Sequence, residues 1–344
     1  MLDSPAQAMP LATTVSRDLL LTALTRRNIR RHLSRLSPHA PRLATRFAET
    51  GMMPRDIRLD REGGTVVITY DAAASTFFVS CVQHFLRAYV YWFISCQPAV
   101  AAMTVTGADG DAPTLARFAP SACRDDQIAI PDPHFFDNRG YAAQRQLAAT
   151  GRVPWAQRAT ALVWRGGYNG GGRLGFDPGD AADPTVSARI RLVMLLKDVP
   201  DTDVKLMDIG IDDGAYNPVA RRLGLVGDAI PQQSWLGRKF AIDIDGTVNT
   251  WANLLIRLLY GCCVLKVGSQ FGFRQWYYGE LRPYEHYIPV KSDMSDLRDR
   301  WEWAMQHDAE AAAIAENGRR VAERLTFEQG TADAVRLISA HWQD

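Results

Sequence analysis

The stretch at 238–251, RKFAIDIDGTVNTW, limits what this chain can fold into more than any other. Phe240, Ile242 and Ile244 alternate with Ala241, Asp243 and Asp245, so the run reads as a strand. Gly246 breaks it, Asn249 and Thr250 are helix-capping residue types, and the apolar run 251–259 follows. Strand, loop and helix start in that order make a βα unit. A helix start exposes unpaired backbone N–H groups and a partial positive charge, which suits a phosphate. Taken alone, the stretch points to a diphosphate-sugar site, a reading it shares with many ordinary βα units.

The rest of the chain supplies a context for such a unit. At 344 residues it can bury a large core, and two domains are expected. Hydrophobic content of 47% and charged content of 22% place it among globular proteins, and a net charge of +1 excludes a chain-wide polyanion binder. No nucleic-acid partner is expected. The five cysteines are odd in number and none are spaced CxxC, which argues against a disulfide framework or a zinc site; Cys262 and Cys263 read as buried thiols. The apolar run 77–96 raises a membrane-spanning reading, but Gln83, His84 and Arg87 in its middle favour a buried helix. With no charged-then-apolar signal pattern at the start, a cytoplasmic protein is expected.

Charge is therefore read locally. Apolar residues recur at helical intervals over 18–36. Seven arginines and no acid fall between Asp18 and Glu49: Arg26, Arg27, Arg30, Arg31, Arg35, Arg42 and Arg46. They form either a solvated basic face or a peripheral landing surface for an anionic glycolipid at the inner face of a membrane. Residues 56–70 read as a hairpin turning at REGG, a helix is expected over 74–95, and a short strand over 100–105. That strand runs into GADGDAP, where Asp109 and Asp111 are either turn-forming acids or candidates for chemistry, since ligands in open α/β sheets sit beyond strand carboxyl ends.

Gly and Pro at 151–154 mark a domain seam. The PDPHFFDNRGY segment before it, 131–141, reads as a loop. A strand ending in Trp164, Arg165 and Gly166 then opens a glycine-rich loop whose spacing fits neither a Walker loop nor GxGxxG. Helices are expected over 184–196, 292–308, 310–317 and 321–342, with Gly318 ending or kinking the third, and short strands over 204–211 and 261–269. Strand–helix alternation after residue 155 predicts a doubly wound α/β domain.

Five segments in this half resemble glycosyltransferase family 90: VWRGG (163–167), RKFAIDIDG (238–246), RLLYGCCVLKVGS (257–269), WYYGELRPYEHYIPVKSDMSDL (276–297) and EWAMQHDAEAAAIAENGRRVAERL (302–325). The resemblance covers about residues 160–325 and is loose before them. It includes protein O-glucosyltransferases and bacterial lipopolysaccharide-modifying enzymes. It implies a GT-B architecture, two Rossmann-like α/β domains facing across a cleft: an acceptor-side domain over 1–153, a nucleotide-sugar domain over 154–325, and a last helix over 326–344 packing back on the first domain. It also implies an inverting, metal-independent transfer from a UDP-sugar co-substrate, with no cofactor and no metal, to a hydroxyl of a glycan or glycolipid such as lipopolysaccharide.

Carried over position by position, the resemblance makes Asp109 the base, with Asp111 as the alternative. It places the donor against Trp164, Arg165 and Gly166, against Asp245, Gly246, Asn249, Thr250, Trp251 and Asn253, and near His286. Asn253 departs from the family, which has a second phosphate-binding arginine there. That departure motivates an alternative, a non-catalytic nucleotide-sugar or glycan-binding protein.

Overall fold

The computed structural model describes residues 41–75, 81–110, 112–207 and 216–343, with a few isolated positions before residue 41 and at Val79. The chain divides into two compact units, Met1–Ala108, Ala112–Ala119 and Ala334–Asp344 in the first, Asp109–Asp111 and Pro120–Asp333 in the second.

The first unit is built on a mixed sheet. Strands β1 (Arg42–Ala48), β2 (Asp56–Glu62), β3 (Thr65–Asp71), β4 (Ala102–Thr106) and β5 (Phe118–Ala119) lie in the order β1-β3-β2-β4-β5. The expected hairpin is β2 and β3, antiparallel, with Glu62 opposite Thr65. Its two-residue turn is Gly63 and Gly64, at φ +51° and +81°, and positive φ at both positions matches the right-handed twist of the strands. Period-two alternation puts Ile57, Leu59, Ile68, Tyr70, Met103 and Val105 on one face, all buried. The apolar run resolves into helix α1 (Gln83–Ser95), whose Leu86, Tyr89, Trp92 and Phe93 are fully buried. Arg61 of β2 closes the helix end, donating to the carbonyls of Phe93 (2.6 Å) and Cys96 (3.0 Å). Among the described residues no helix is long and apolar enough to cross a membrane. Most of the basic segment at 18–36 lies outside the described residues; Arg27, Arg30 and Arg31 are exposed, and Arg46 stands on β1 paired with Glu62.

The second unit opens with a two-residue strand, β6 (Ile128–Ala129), and two short helices, α2 (Pro133–Asp137) and α3 (Ala142–Thr150). Its sheet follows: β7 (Ala159–Gly166), β8 (Thr202–Leu206), β9 (Arg238–Asp243), β10 (Cys263–Val267) and β11 (Ile288–Val290), in the order β11-β10-β9-β7-β8, every neighbouring pair parallel. Helices α4 (Ala188–Leu196), α5 (Tyr216–Arg222), α6 (Asn253–Leu259), α7 (Leu297–Gln306) and α8 (Asp308–Arg324) alternate with or follow the strands, and the last helix is α9 (Phe327–His341), whose residues from Ala334 on fall in the first unit. Leu162, Phe240, Ile242 and Leu265 share one core cluster with Ile190, Trp301 and Ile314, while Val163, Ala241 and Val264, pointing the other way, are equally buried. Burial on both faces is why these strands read as near-continuous apolar runs. Cys262 and Cys263 are fully buried free thiols.

Three expectations are corrected. The units divide at Ala119/Pro120 instead of at 151–154, because the segment between is tied into the second unit. Arg145 donates to the carbonyls of Ala322 and Glu323, and Arg158 donates to that of Tyr260. The PDPHFFD segment folds as α2, since Asp132 caps it by accepting from the Phe135 N–H at 2.9 Å and Pro133 fits the first turn. Helix α8 passes through Gly318 without a break. Glycine is required there for approach: a Cβ would stand 2.7 Å from the His286 carbonyl oxygen and 2.8 Å from Leu258.

Candidate functional site

The strand order reverses between β7 and β9, the first strand of the sheet going one way to β8 and the other way to β9. Connections leaving the two strands diverge there and open a crevice at their carboxyl ends, where open α/β sheets hold ligands. A cavity of about 420 Å³ occupies this place in the second unit. It is lined by Trp164, Arg165 and Gly166 at the end of β7, by Arg189 of α4, and by the 246–253 loop after β9. Asp109, His134, Asn138 and Tyr141 line it as well.

The loop is held from below by one carboxylate. Asp243, the last residue of β9, is fully buried. It pairs with Lys266 Nζ at 3.2 Å and accepts hydrogen bonds from Thr250 Oγ1 and from Asn253 Nδ2 (3.1 Å). A buried carboxylate is stable only when its oxygens are paired in this way. Asn249, also buried, bonds to Ser121 Oγ (2.7 Å) and donates to Asp245 Oδ1 (3.4 Å). Thr250 and Asn253 both line the cavity, and their side chains bond back to Asp243 and order the loop. Thr250 does not cap α6, which starts at Asn253 behind Ala252 with no side-chain cap.

Two arginines at the cavity differ in what already surrounds them. Arg165, read from the sequence as the phosphate ligand, forms a bidentate pair with Asp203 at 2.8 and 2.9 Å. Its remaining N–H groups donate to the carbonyls of Asp228 (2.8 Å), Trp164 (2.9 Å) and Asp203 (2.7 Å). The guanidinium is saturated, so it fixes the end of β7 against β8. Arg189 was not singled out by sequence. It is buried, and its hydrogen bonds all go to neutral oxygens: the carbonyls of Asp245 (3.0 Å), Ile244 (3.4 Å) and Gly167 (3.5 Å), and Asn169 Oδ1. Burial lowers its pKa to about 10, countered in part by the charges of Asp243 and Asp245. Glycine at 246 admits the side chain, since a Cβ there would stand 2.7 Å from Arg189 Nη2. The signal available in sequence was Arg189 beside Ile190 within the apolar run of α4.

Asp245 is half-buried, with Oδ2 lacking a hydrogen-bond partner, and burial raises its pKa despite bonds from Ser269 and Asn249. Asp109 follows β4 and lines the cavity. The turn behind it packs on the loop, a Cβ at Gly110 falling 3.1 Å from Val248 and from Phe273, and Gly110 itself needs its φ of +118°. Asp111 lies outside the described residues. Helix α2 adds His134, whose ring lies 5.8 Å from that of Trp251, and it is capped by Asp132, whose carboxyl is pushed up to about 7 by complete burial. Tyr141, a buried residue held in the left-handed region at φ +60°, has a hydroxyl without a hydrogen-bond partner.

His286 does not belong to this cavity. It lines a separate one with Arg282, Arg320 and Arg324. It precedes β11 and so stands at the amino end of the parallel strands, whereas ligand loops leave their carboxyl ends.

Residues 183–337 match the family model described as Glycosyl transferase family 90. The chain is 33% identical over 141 residues to protein O-glucosyltransferase 3 of Rattus norvegicus, covering 40% of this chain and 26% of that protein. It is 31% identical over 175 residues to uncharacterized protein 035R of Invertebrate iridescent virus 3, covering 47% of this chain and 15% of that one. The chain thus spans about a quarter or less of the length of these relatives. Among solved structures, Alr3699/HepE of Anabaena in complex with UDP-glucose aligns with a TM-score of 0.36 at 14% identity, over 58% of this chain and 52% of that one.

Proposed function

We propose that this chain, whose residues 183–337 belong to glycosyl transferase family 90, is a GT-B glycosyltransferase that moves a sugar from a UDP-sugar to a hydroxyl of a glycan or glycolipid. One observation carries the reading beyond the family match. Arg189 is a buried cation at the topological switch point with no carboxylate bonded to it, and a diphosphate would supply the missing counter-charge. In this reading Arg165 and Asp203 hold β7 in place, and Asp243 holds the 246–253 loop around the donor. Asp245 Oδ2 accepts from a donor hydroxyl.

The chemistry then needs a base and a stabilised leaving group. Asp109 removes the proton of the acceptor hydroxyl as its oxygen attacks the anomeric carbon from the face opposite UDP, inverting that centre. The bond to the diphosphate breaks, and the negative charge on the departing UDP is met by Arg189. No metal is invoked. Surface glycans such as lipopolysaccharide are the proposed acceptors, in a cytoplasmic enzyme working at the inner face of a membrane.

UDP release measured over a panel of UDP-sugars and glycan acceptors tests this. Asp109→Asn should abolish turnover and leave UDP affinity within about twofold; full activity in that variant removes Asp109 as the base. The second reading, a nucleotide-sugar binder without turnover, is favoured by Asn253, which brings no charge where the family has an arginine. UDP binding with no release on any acceptor would select it.

A further inference from the structure

We propose that the cavity at the amino end of the second sheet is a separate binding site for a phosphate group. It has a volume of about 380 Å³ and is lined by Arg282, Arg320, Arg324, His286, Asn317 and two glutamates, Glu280 and Glu285, among others. Three guanidiniums against two carboxylates leave a net positive wall.

The wall is built by two elements pressed together. Asn317, Arg320, Val321 and Arg324 follow the i, i+3, i+4, i+7 pattern and form one face of α8. Gly318 lets this helix lie against the 282–287 turn, in van der Waals reach of the His286 carbonyl. The turn is itself fixed. His286 N donates to the Arg282 carbonyl at 3.0 Å, Tyr284 N donates to the Tyr287 carbonyl at 2.8 Å, and Tyr284 takes a left-handed φ of +60°.

Within that frame the guanidiniums meet their neighbours through long contacts, Arg324 Nη1 donating to the Arg320 carbonyl at 3.3 Å among them. Arg282 stands 3.5 Å from Glu285, and Arg324 stands 4.0 Å from Glu280. Both distances exceed the ~2.7–2.9 Å of a charge-assisted hydrogen bond. Arg320 bonds Glu316 at 3.2 Å through Nε, which leaves its terminal nitrogens for another acceptor. His286 is almost wholly buried, and its Nδ1 accepts from the Arg282 N–H at 2.9 Å. That bond fixes the neutral tautomer and puts the ring proton on Nε2, 3.5 Å from Glu285 Oε1. The cavity therefore offers forked donors and an N–H, arranged around a space that a tetrahedral oxyanion can fill. The site is remote in the fold from the donor cavity and does not depend on the transferase reading.

Isothermal titration of the full chain with inorganic phosphate and with glucose 6-phosphate tests it, alongside the double variant Arg320→Ala/Arg324→Ala. Both probes are expected to bind, with affinity reduced on the order of tenfold or more in the variant and the melting temperature unchanged. Tighter binding of glucose 6-phosphate would identify a sugar-borne phosphate, and equal binding a free one. Addition of saturating UDP should leave phosphate binding intact. Failure of both probes to bind, binding unaltered in the double variant, or displacement by UDP would each overturn the proposal.

Discussion

The two ends of the second unit's sheet handle charge in opposite ways. At the carboxyl end the charged groups nearest the cavity are withdrawn from water: Arg189 and Asp243 are buried, the Arg165 and Lys266 side chains are each 11% exposed, and the carboxyl of Asp132 at the start of α2 is buried as well. At the amino end Arg282, Arg320 and Arg324 keep their guanidiniums largely in solvent, with side-chain exposures of 74%, 64% and 63%. A buried charge is worth several kcal/mol to whatever pairs with it, and an exposed one rarely more than about 1 kcal/mol. The contrast explains why the first cavity is read as a site for tight, oriented binding and the second as a site whose affinity rests on several weak contacts together.

The largest effect expected from breaking this contrast concerns Asp132. Its folded pKa of about 7 lies above the ordinary 3.8. Below pH 4 both folded and unfolded forms carry the proton, and the group contributes nothing. Between pH 4 and 7 only the folded form holds it, so stability falls as pH rises, on the order of 4 kcal/mol at most, and stays lost above 7. Asp132→Asn keeps the helix cap and removes the titration. Urea unfolding from pH 4 to 8 should show the wild-type decline flattened in the variant; parallel curves would contradict it.

Next is Arg189→Met. Loss of a buried counter-charge should weaken UDP binding by about 3 kcal/mol, roughly a hundredfold by calorimetry. The same change should leave stability equal or higher, because an apolar side chain of similar size replaces a buried cation to which no carboxylate is bonded. A variant that binds UDP normally would end the assignment. Asp243→Asn should cost about 3 kcal/mol in unfolding free energy, since Lys266 is then left buried without its partner. At the amino end, Arg320→Ala and Arg324→Ala should each stay within about 0.5 kcal/mol of wild type in the same measurement.

The sequence made the frame of the second unit legible because its strands are short apolar runs bounded by glycine, and 238–251 announced both β9 and the loop after it. The hairpin at 56–70 was equally clear, since two adjacent glycines between alternating strands admit few other structures. Side-chain direction was not legible. Thr250 and Asn253 look like ligand or capping residues until Asp243 is seen beneath them, and Arg165 looks available until Asp203 on the neighbouring strand is found. Asp203 is remote from Arg165 in sequence, and pairing across parallel strands leaves no local pattern; Asp243 is only 7 and 10 residues from Thr250 and Asn253, but the sequence does not show which way a loop turns its side chains. Arg189 was hidden for a related reason: the helix carries two buried arginines, Arg189 and Arg191, in an apolar run, and nothing local shows which of them faces the cavity. His286 was misplaced because a motif shared with a family carries no information about which end of a strand it occupies.

Asp243 has a consequence for how a ligand would meet this protein. Because the 246–253 loop is tied to a buried carboxylate, to Ser121 and to Lys266's partner network, its conformational entropy is lost when the chain folds. An incoming molecule meets a wall in which Asn249, Thr250 and Asn253 are already bonded in place. Its residence time then reports the strength of the contacts themselves, undiluted by the ordering of the loop.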